Sequence, residues 1–262
     1  MLTPAEFAAL HRPGAPLLLP NAWDLASARW LRAAGHPVVG TTSLGVAIAT
    51  GRRDGSGETA METFELAERL TRAGITVTVD LEAGFSDEPE EVGGFAARLA
   101  ALGVVGVNIE DSDVRGSLVQ VDLAAAKVSA IASAAPELYL NARTDPFWVD
   151  ERSSPPDRLA ETVRRAHQYL EAGASGIFVP GVLALDVVSS ITGAVRAPVN
   201  VLAQPGVALA VLADAGVARV STGSLLFRLA LGAISAAAGE LRDGTFTPPA
   251  ATPTYDEAAA VP

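Results

Sequence analysis

Short runs of apolar and β-branched residues alternate along the chain with longer segments of helical composition. The runs lie at 17–20, 38–40, 76–81, 104–109, 137–140, 176–179, 199–202 and 217–221. Between them, segments rich in Ala, Leu, Glu and Arg, such as 59–72, 88–102 and 156–172, predict helices. Most of these segments end in Ala-Gly or Leu-Gly just before the next run: Ala34-Gly35, Ala73-Gly74, Leu102-Gly103, Ala172-Gly173 and Ala215-Gly216. Glycine there suits the left-handed position that closes a helix. A helix, a glycine and then a strand, repeated, is the mark of βα units with a parallel sheet. Eight such units predict an α/β fold of the (β/α)8 TIM-type barrel class. A doubly wound sheet is the alternative, weakened because no G-x-G-x-x-G follows the first strand.

Three successive strands end in charge. Val77-Thr-Val-Asp80-Leu-Glu82 closes a β-branched run with two carboxylates. Residues two apart on a strand share a face, so Asp80 and Glu82 are expected to project from the same side. The event recurs at Asn108-Ile-Glu110-Asp111 and, with a cation, at Asn141-Ala-Arg143-Thr-Asp145. In a barrel, functional groups sit at the C-terminal ends of strands and on the loops that follow. Those positions offer Asn21 and Asp24, then Thr42, Ser43 and Leu44, with Asp54 further along the same loop. Later strands add Asp80, Glu82, Glu110, Asp111, Asn141, Arg143, Thr144, Asp145, Asn200 and Ser221.

Carboxylates without histidine or cysteine favour a hard cation such as Mg²⁺, which takes oxygen ligands and keeps several waters. Zinc would call for His or Cys, and His11, His36 and His167 lie away from the strand ends. Arg143 beside such a cation is suited to grip a carboxylate or phosphonate in bidentate fashion. Plainer roles stand beside these. Asp24 has the position of a helix N-cap. Asp54, within Gly51-Arg-Arg-Asp-Gly-Ser-Gly57, has that of a turn residue. Arg143 has Asp145 and Glu110 within reach as structural ion-pair partners, and Asp80 and Glu82 are themselves candidates for capping or salt-bridging.

Composition narrows the partners. The chain has 262 residues, 49% hydrophobic, enough for one large domain: residues 1–242 as a single barrel and 243–262 as a Pro/Ala-rich tail that reads as an arm or a disordered end. Lys and Arg number 19 against 30 Asp and Glu, a net charge of −11. That argues against nucleic acid and anionic membranes as partners, not against a small anion held by local positive charge. There are no cysteines, which excludes disulfides, thiolate metal sites and cysteine catalysis. No basic segment followed by an apolar run opens the chain, and no apolar stretch approaches the length of a membrane span. The expectation is a soluble cytoplasmic protein.

The sequence resembles the isocitrate lyase/phosphoenolpyruvate mutase superfamily. The matching segments are Pro20-Asn-Ala-Trp-Asp24, Thr42-Ser-Leu-Gly45, Val79-Asp-Leu-Glu-Ala-Gly-Phe85, Val107-Asn-Ile-Glu-Asp-Ser112, Asn141-Ala-Arg-Thr-Asp145 and Gly216-Val-Ala-Arg-Val-Ser-Thr-Gly223. The resemblance implies a barrel with Mg²⁺ at the strand ends, Mn²⁺ being the alternative. It implies that Asp80 ligates the metal directly and that Asp54, Glu82 and Glu110 hold its waters. Arg143 would bind the substrate carboxylate, with Ser43, Leu44, Gly45 and Asn200 completing the substrate-facing set. Arg143, Asp54 and Glu110 are the catalytic candidates. The last barrel helix would be exchanged between subunits of a dimer or tetramer.

The chain also departs from the superfamily's subclasses. It has no Lys-Lys-Cys-Gly-His loop. The loop Ser112-Asp-Val-Arg-Gly-Ser-Leu118 lacks the Lys and Asn of the mutases, leaving Arg115 as the cation to close over a substrate. Val179-Pro-Gly181 stands where the mutases offer a histidine. The expected function is therefore a Mg²⁺-dependent lyase that cleaves a C–C bond, by decarboxylation or retro-aldol reaction, in a small 2-oxo or 2-hydroxy dicarboxylic acid through a metal-stabilised pyruvate enolate. Decarboxylation asks least of protein acid/base groups. The alternatives are a P–C bond enzyme of the phosphoenolpyruvate mutase or phosphonopyruvate hydrolase type, and a non-catalytic barrel that binds a 2-oxo acid.

Overall fold

The computed structural model describes residues 1–261. Its strands are β1 (Leu17–Leu19), β2 (Asn21–Ala22), β3 (Val39–Thr41), β4 (Val77–Asp80), β5 (Gly106–Ile109), β6 (Tyr139–Arg143), β7 (Gly176–Val179), β8 (Val199–Leu202) and β9 (Arg219–Ser221). Every pairing is parallel and follows chain order, except that β1 pairs with β9 while β2 pairs with β3. β1 and β2 are thus two halves of the first strand, and together they close the predicted barrel. Helices cover its outside.

The interruption falls at Pro20, which has no N–H to give a ladder. Asn21 repairs the seam with its side chain. Its Nδ2 donates to the Thr41 carbonyl at 2.7 Å, while its Oδ1 accepts from the amides of Thr222 at 3.1 Å and Gly223 at 2.9 Å. β7 and β8 occupy the expected residues. The fifth predicted strand moves furthest, from 137–140 to Tyr139–Arg143, so Asn141 and Arg143 belong to the strand itself.

The N-terminal end of the barrel is plugged. The helix Pro4–Ala9, capped by Thr3 and Glu6, drives Phe7 inward, where it joins Leu19, Val38, Val105 and Tyr139 in a cluster separate from the main core. His11 stacks on Tyr139 with ring centres 3.9 Å apart. Glycine makes this plug possible. A Cβ on Gly106 would lie 2.9 Å from the Phe7 ring, and one on Gly176 would lie 2.2 Å from the Tyr139 hydroxyl. With that end filled, only the C-terminal end is open to solvent chemistry.

The helix Leu225–Arg242 buries only Phe227 and leaves Leu229, Leu231, Ile234 and Leu241 exposed. Beyond it lies the Pro/Ala-rich tail. Tyr255–Ala260 forms a short helix, because Thr254 and Glu257 make a reciprocal capping box at its start. Among the described residues no helix is long and apolar enough to cross a membrane.

Asn21→Ala removes the acceptor and donor that bridge the seam and leaves the half-buried amides of Thr222 and Gly223 without their acceptor. It is expected to lower unfolding stability by roughly 2–3 kcal/mol, read as a shift in the urea midpoint at unchanged slope. An unchanged midpoint would mean that the seam closes without it.

Candidate active site

Asp80 is the last residue of β4, and its amide donates to Thr41 Oγ1 at 2.9 Å. Its carboxylate has only two long backbone donors: Ser43 N to Oδ2 and Glu82 N to Oδ1, both at 3.3 Å. The chain then leaves the sheet. Glu82 has φ of +49°, in the left-handed region that costs a side-chain-bearing residue energy. Alternation along a strand therefore does not bring Asp80 and Glu82 together; a left-handed turn does. The Glu82 carboxylate accepts Gly57 N at 3.1 Å and Thr59 Oγ1 at 2.5 Å. It thereby ties the glycine-rich loop carrying Asp54 to the floor of the site. Asp54 is exposed on that loop yet close enough to raise the pKa of Asp80, Glu82 and Glu110.

Arg143 ends β6 between two carboxylates. Its Nη1 donates to Glu110 Oε1 and its Nε to Asp145 Oδ1, each at 2.5 Å. Both structural pairings considered for it are thus made at once, and the face of Nη2 is what it has left for a ligand. The Trp148 and Phe178 rings lie 5.5 and 5.7 Å from its guanidinium carbon. Burial alone would ease the proton off Arg143, but Asp145 and Glu110 outweigh it and hold the cation.

The acids are the strained partners. Burial pushes Asp80 and Glu82 above the ordinary carboxylate range, and Glu110 well above it. For Asp80, attraction to Arg143 opposes that rise and repulsion from Asp54 adds to it. Arg219 lies deeper in the barrel, with Nε on Ser221 Oγ at 2.9 Å and a longer contact to Asn108 Oδ1 at 3.4 Å. It touches none of these carboxylates, and burial pulls its pKa down to about 10. Confined negative charge with a single shared guanidinium is costly unless a further cation enters. The donors are all oxygen, and Asp80 is the least satisfied of them, which suits a small hard cation. Among the described residues no three His, Asp or Glu side chains come close enough to hold a metal between them. The arrangement accordingly fits an ion held by Asp80 and by waters that the other acids orient.

The remaining predicted residues separate. Ser43 spends its amide on Asp80. Leu44 and Gly45 follow it in the first turn of the helix Ser43–Ala49, and Gly45 is packed so that a Cβ would meet Trp23 at 2.6 Å. Asn200 is not at a strand end. It is the second residue of β8, buried, with Oδ1 accepting from Ser221 Oγ and Nδ2 unpartnered. The apolar run 199–202 already holds Asn200 in its interior, and β8 continues two residues beyond it. Asp24 is the N-cap of the helix Leu25–Ala33. Asp111 turns away into a structural network with Arg165 and Tyr169, its pKa pushed up to about 6 by burial, with Asp145 adding to the rise.

Sequence reasoning missed Trp148 and Arg152, which share a cleft of about 530 Å³ with Arg115. Arg115 also lines a second cleft of about 510 Å³ that reaches Glu82 and Lys127. The only sequence signal for Trp148 was its place just after Asn-Ala-Arg-Thr-Asp-Pro.

The family profile described as phosphoenolpyruvate phosphomutase matches residues 7–242. An uncharacterised protein of Mycobacterium tuberculosis is 40% identical over 243 residues, covering 93% of this chain and 91% of that one. A Burkholderia cenocepacia structure, provisionally described as a lyase/mutase, superposes with a TM-score of 0.88 at 35% identity, covering 98% of this chain and 94% of that one. A 2-methylisocitrate lyase of Halalkalibacterium halodurans is 29% identical over 182 residues, 66% of this chain and 58% of that protein.

Because the pKa values of Asp80, Glu82 and Glu110 are raised, a cation must displace protons to bind. Mg²⁺ affinity is therefore expected to rise with pH and then level off, with net proton release at the lower pH. Calorimetry in two buffers of different ionisation enthalpy measures it. Affinity that does not rise with pH above the ordinary carboxylate range would contradict the arrangement.

Proposed function

This chain belongs to the phosphoenolpyruvate phosphomutase family, in the isocitrate lyase/phosphoenolpyruvate mutase superfamily of lyases and mutases, and we propose that it is a Mg²⁺-dependent carbon–carbon lyase. Its substrate is a small 2-oxo or 2-hydroxy dicarboxylic acid. The observation that carries this reading is the group of strand-end carboxylates, Asp80, Glu82 and Glu110 with Asp54 above them, around one guanidinium. Nothing in that group is a thiol or an imidazole, so chemistry that needs neither as its acid or base fits best.

In this reading Asp80 holds the cation, and Asp54, Glu82 and Glu110 fix its waters. When bound, Mg²⁺, or Mn²⁺ in its place, supplies Lewis-acid stabilisation of the charge that develops as the bond at C3 breaks. Arg143 binds the substrate's C1 carboxylate through Nη2, and its ion pairs with Glu110 and Asp145 keep the guanidinium from rotating. The amides of Leu44 and Gly45, in a first helical turn with no intrahelical acceptor, suit the same carboxylate. The Ser43 hydroxyl adds a donor, and Asn200 supports the site from below with its free Nδ2. Decarboxylation needs no base: CO₂ leaves with its bonding electrons left on C3, and water then protonates that carbon.

A dicarboxylate is favoured by the cleft beside Trp148, whose ring lies 5.5 Å from the Arg143 guanidinium carbon. Arg115 and Arg152 line it together with Asp150 and Glu151, and neither arginine makes an ion pair among the described residues. They suit the distal carboxylate.

A P–C bond reaction is the second reading; Asp54, on the loop tied to Glu82 and near enough for Asp80 to feel its charge, would attack or orient water. A barrel that binds oxalate or a 2-oxo acid without turnover is the third, favoured by the short loop 112–118 with no lysine. The exposed apolar face of Leu225–Arg242 supports a homo-oligomer, a dimer or tetramer in which that helix packs on a neighbour.

The test is a panel of oxaloacetate, 2-methylisocitrate, 2,3-dimethylmalate and phosphonopyruvate with Mg²⁺, assayed for pyruvate and phosphate. Pyruvate from a C–C substrate without phosphate is expected. Asp80→Ala and Arg143→Ala should each lower kcat/KM by about a thousandfold. Phosphate from phosphonopyruvate would favour the second reading, and turnover untouched by both substitutions would remove this site. Arg115→Ala should raise KM for the dicarboxylate about tenfold and change oxalate affinity by no more than about twofold. Equal effects on both ligands would assign Arg115 no distal role.

A further inference from the structure

The root of the loop 112–119 brackets Arg143 from both sides. Glu110 meets the guanidinium directly, through Nη1. Two residues later, Ser112 meets it through Asp145: Ser112 Oγ donates to Asp145 Oδ2 at 2.6 Å, and Asp145 Oδ1 accepts Arg143 Nε at 2.5 Å. Between them, Asp111 Oδ1 accepts the Asp145 amide at 2.8 Å. Its Oδ2 takes Tyr169 Oη at 2.6 Å and Arg165 Nη1 at 3.0 Å. Arg165 then donates from Nη2 to the Val119 carbonyl at 3.0 Å, while the Val119 amide returns to the Asp111 carbonyl at 2.9 Å. Both stems of the loop are therefore fastened to the group that orients Arg143, and the Ser112–Leu118 bridge joins the stems to each other.

The tip behaves differently. Val114 to Ser117 are exposed, and the turn is held locally by Asp113, whose Oδ1 accepts the amides of Arg115 and Ser117. Asp145 and Asp111 are almost wholly buried, at 0% and 1% exposure. Neither has a water-facing oxygen that would tolerate loss of a donor, so a buried carboxylate of this kind resists changing one partner alone. A shift of the loop root that pulls Ser112 from Asp145 must be answered at the Arg143 end of the same carboxylate.

We propose that Ser112 and Asp145 are positioning residues that couple the conformation of the loop 112–119 to the orientation of Arg143. A shift of the loop root through Ser112 then moves the Arg143 clamp, and occupation of Arg143 tightens the loop. This rests on Arg143 being the anion-binding group of the proposed reaction. The coupling itself is a property of the ligand-free protein.

The experiment uses the full-length chain. Hydrogen exchange is followed for amides 113–119 in the wild type, Ser112→Ala, Ser112→Thr and Arg143→Lys, with thermal unfolding as a check on folding. Steady-state kinetics are measured on whichever substrate of the panel turns over. Ser112→Ala is expected to speed exchange in 113–119 about tenfold. It should raise KM about tenfold with a smaller change in kcat, and Ser112→Thr, which restores the hydroxyl, should reverse both. Arg143→Lys keeps the charge but loses the Nε donor. It should speed exchange in the same segment although Arg143 makes no hydrogen bond to it, as reciprocity between coupled groups requires. Unchanged loop exchange in Arg143→Lys would overturn the coupling, and so would unchanged KM in a folded Ser112→Ala. Both exchange arms work without substrate. Intact coupling with no turnover on any substrate would instead count against the lyase reading alone.

Discussion

The structure is organised around buried negative charge at one end of a barrel. Asp80, Glu82, Glu110 and Asp145 converge on a region with Arg143 as its shared cation, and burial disfavours the ionised form of the three acids that face the site. An apolar core alone would expel such a group. It persists because most of these acids are held by fixed donors: Thr59 and Gly57 on Glu82, Ser112 and Arg143 on Asp145, and Arg143 again on Glu110. The left-handed backbone at Glu82 is a further cost accepted at the same place. Such concentrations of unfavourable terms mark candidate functional sites, where a bound ligand can supply the missing compensation.

The rest of the barrel makes that end available. Phe7 and Tyr139 fill the opposite end, and the glycines of β5 and β7 let them approach the strands. Between plug and site lies a polar layer, Asn108, Asn141, Asn200, Ser221 and Arg219, linked across strands that are distant in sequence. This layer lets the floor carry charge without resting it directly on apolar side chains.

The loops then differ in what they are tied to. The glycine-rich loop at 51–57 is fixed through Glu82, so Asp54 is tied to the carboxylate cluster around Asp80. The loop at 112–119 is fixed through Asp145 and Arg165, so Arg115 is tied to the surroundings of Arg143. The two arms of a dicarboxylate and the cation that polarises it would thus be served by separate, locally braced pieces of chain.

Local terms were legible in the sequence. β7 and β8 are apolar runs bounded by glycine or proline, and they stand where the pattern put them. Asp24 caps its helix through residues three positions away, and helix–glycine–strand spacing gave the barrel. The acids at the strand ends were visible as breaks in hydrophobic runs. What escaped notice depended on partners far along the chain. β6 extends to Arg143 because inward-facing Asn141 finds Asn108, so polar residues that read as loop belong to a strand. Pro20 splits the first strand without opening the barrel because Asn21 reaches residues some two hundred positions later. Glu82 joins Asp80 through a positive φ that no periodicity announces, and Arg143 is committed to Glu110, Asp145 and Trp148 by the closing of the sheet. Hydrophobic period and capping act over a few residues and are written in order. Charge pairing in a buried site acts across space, and only the closed barrel decides which groups meet.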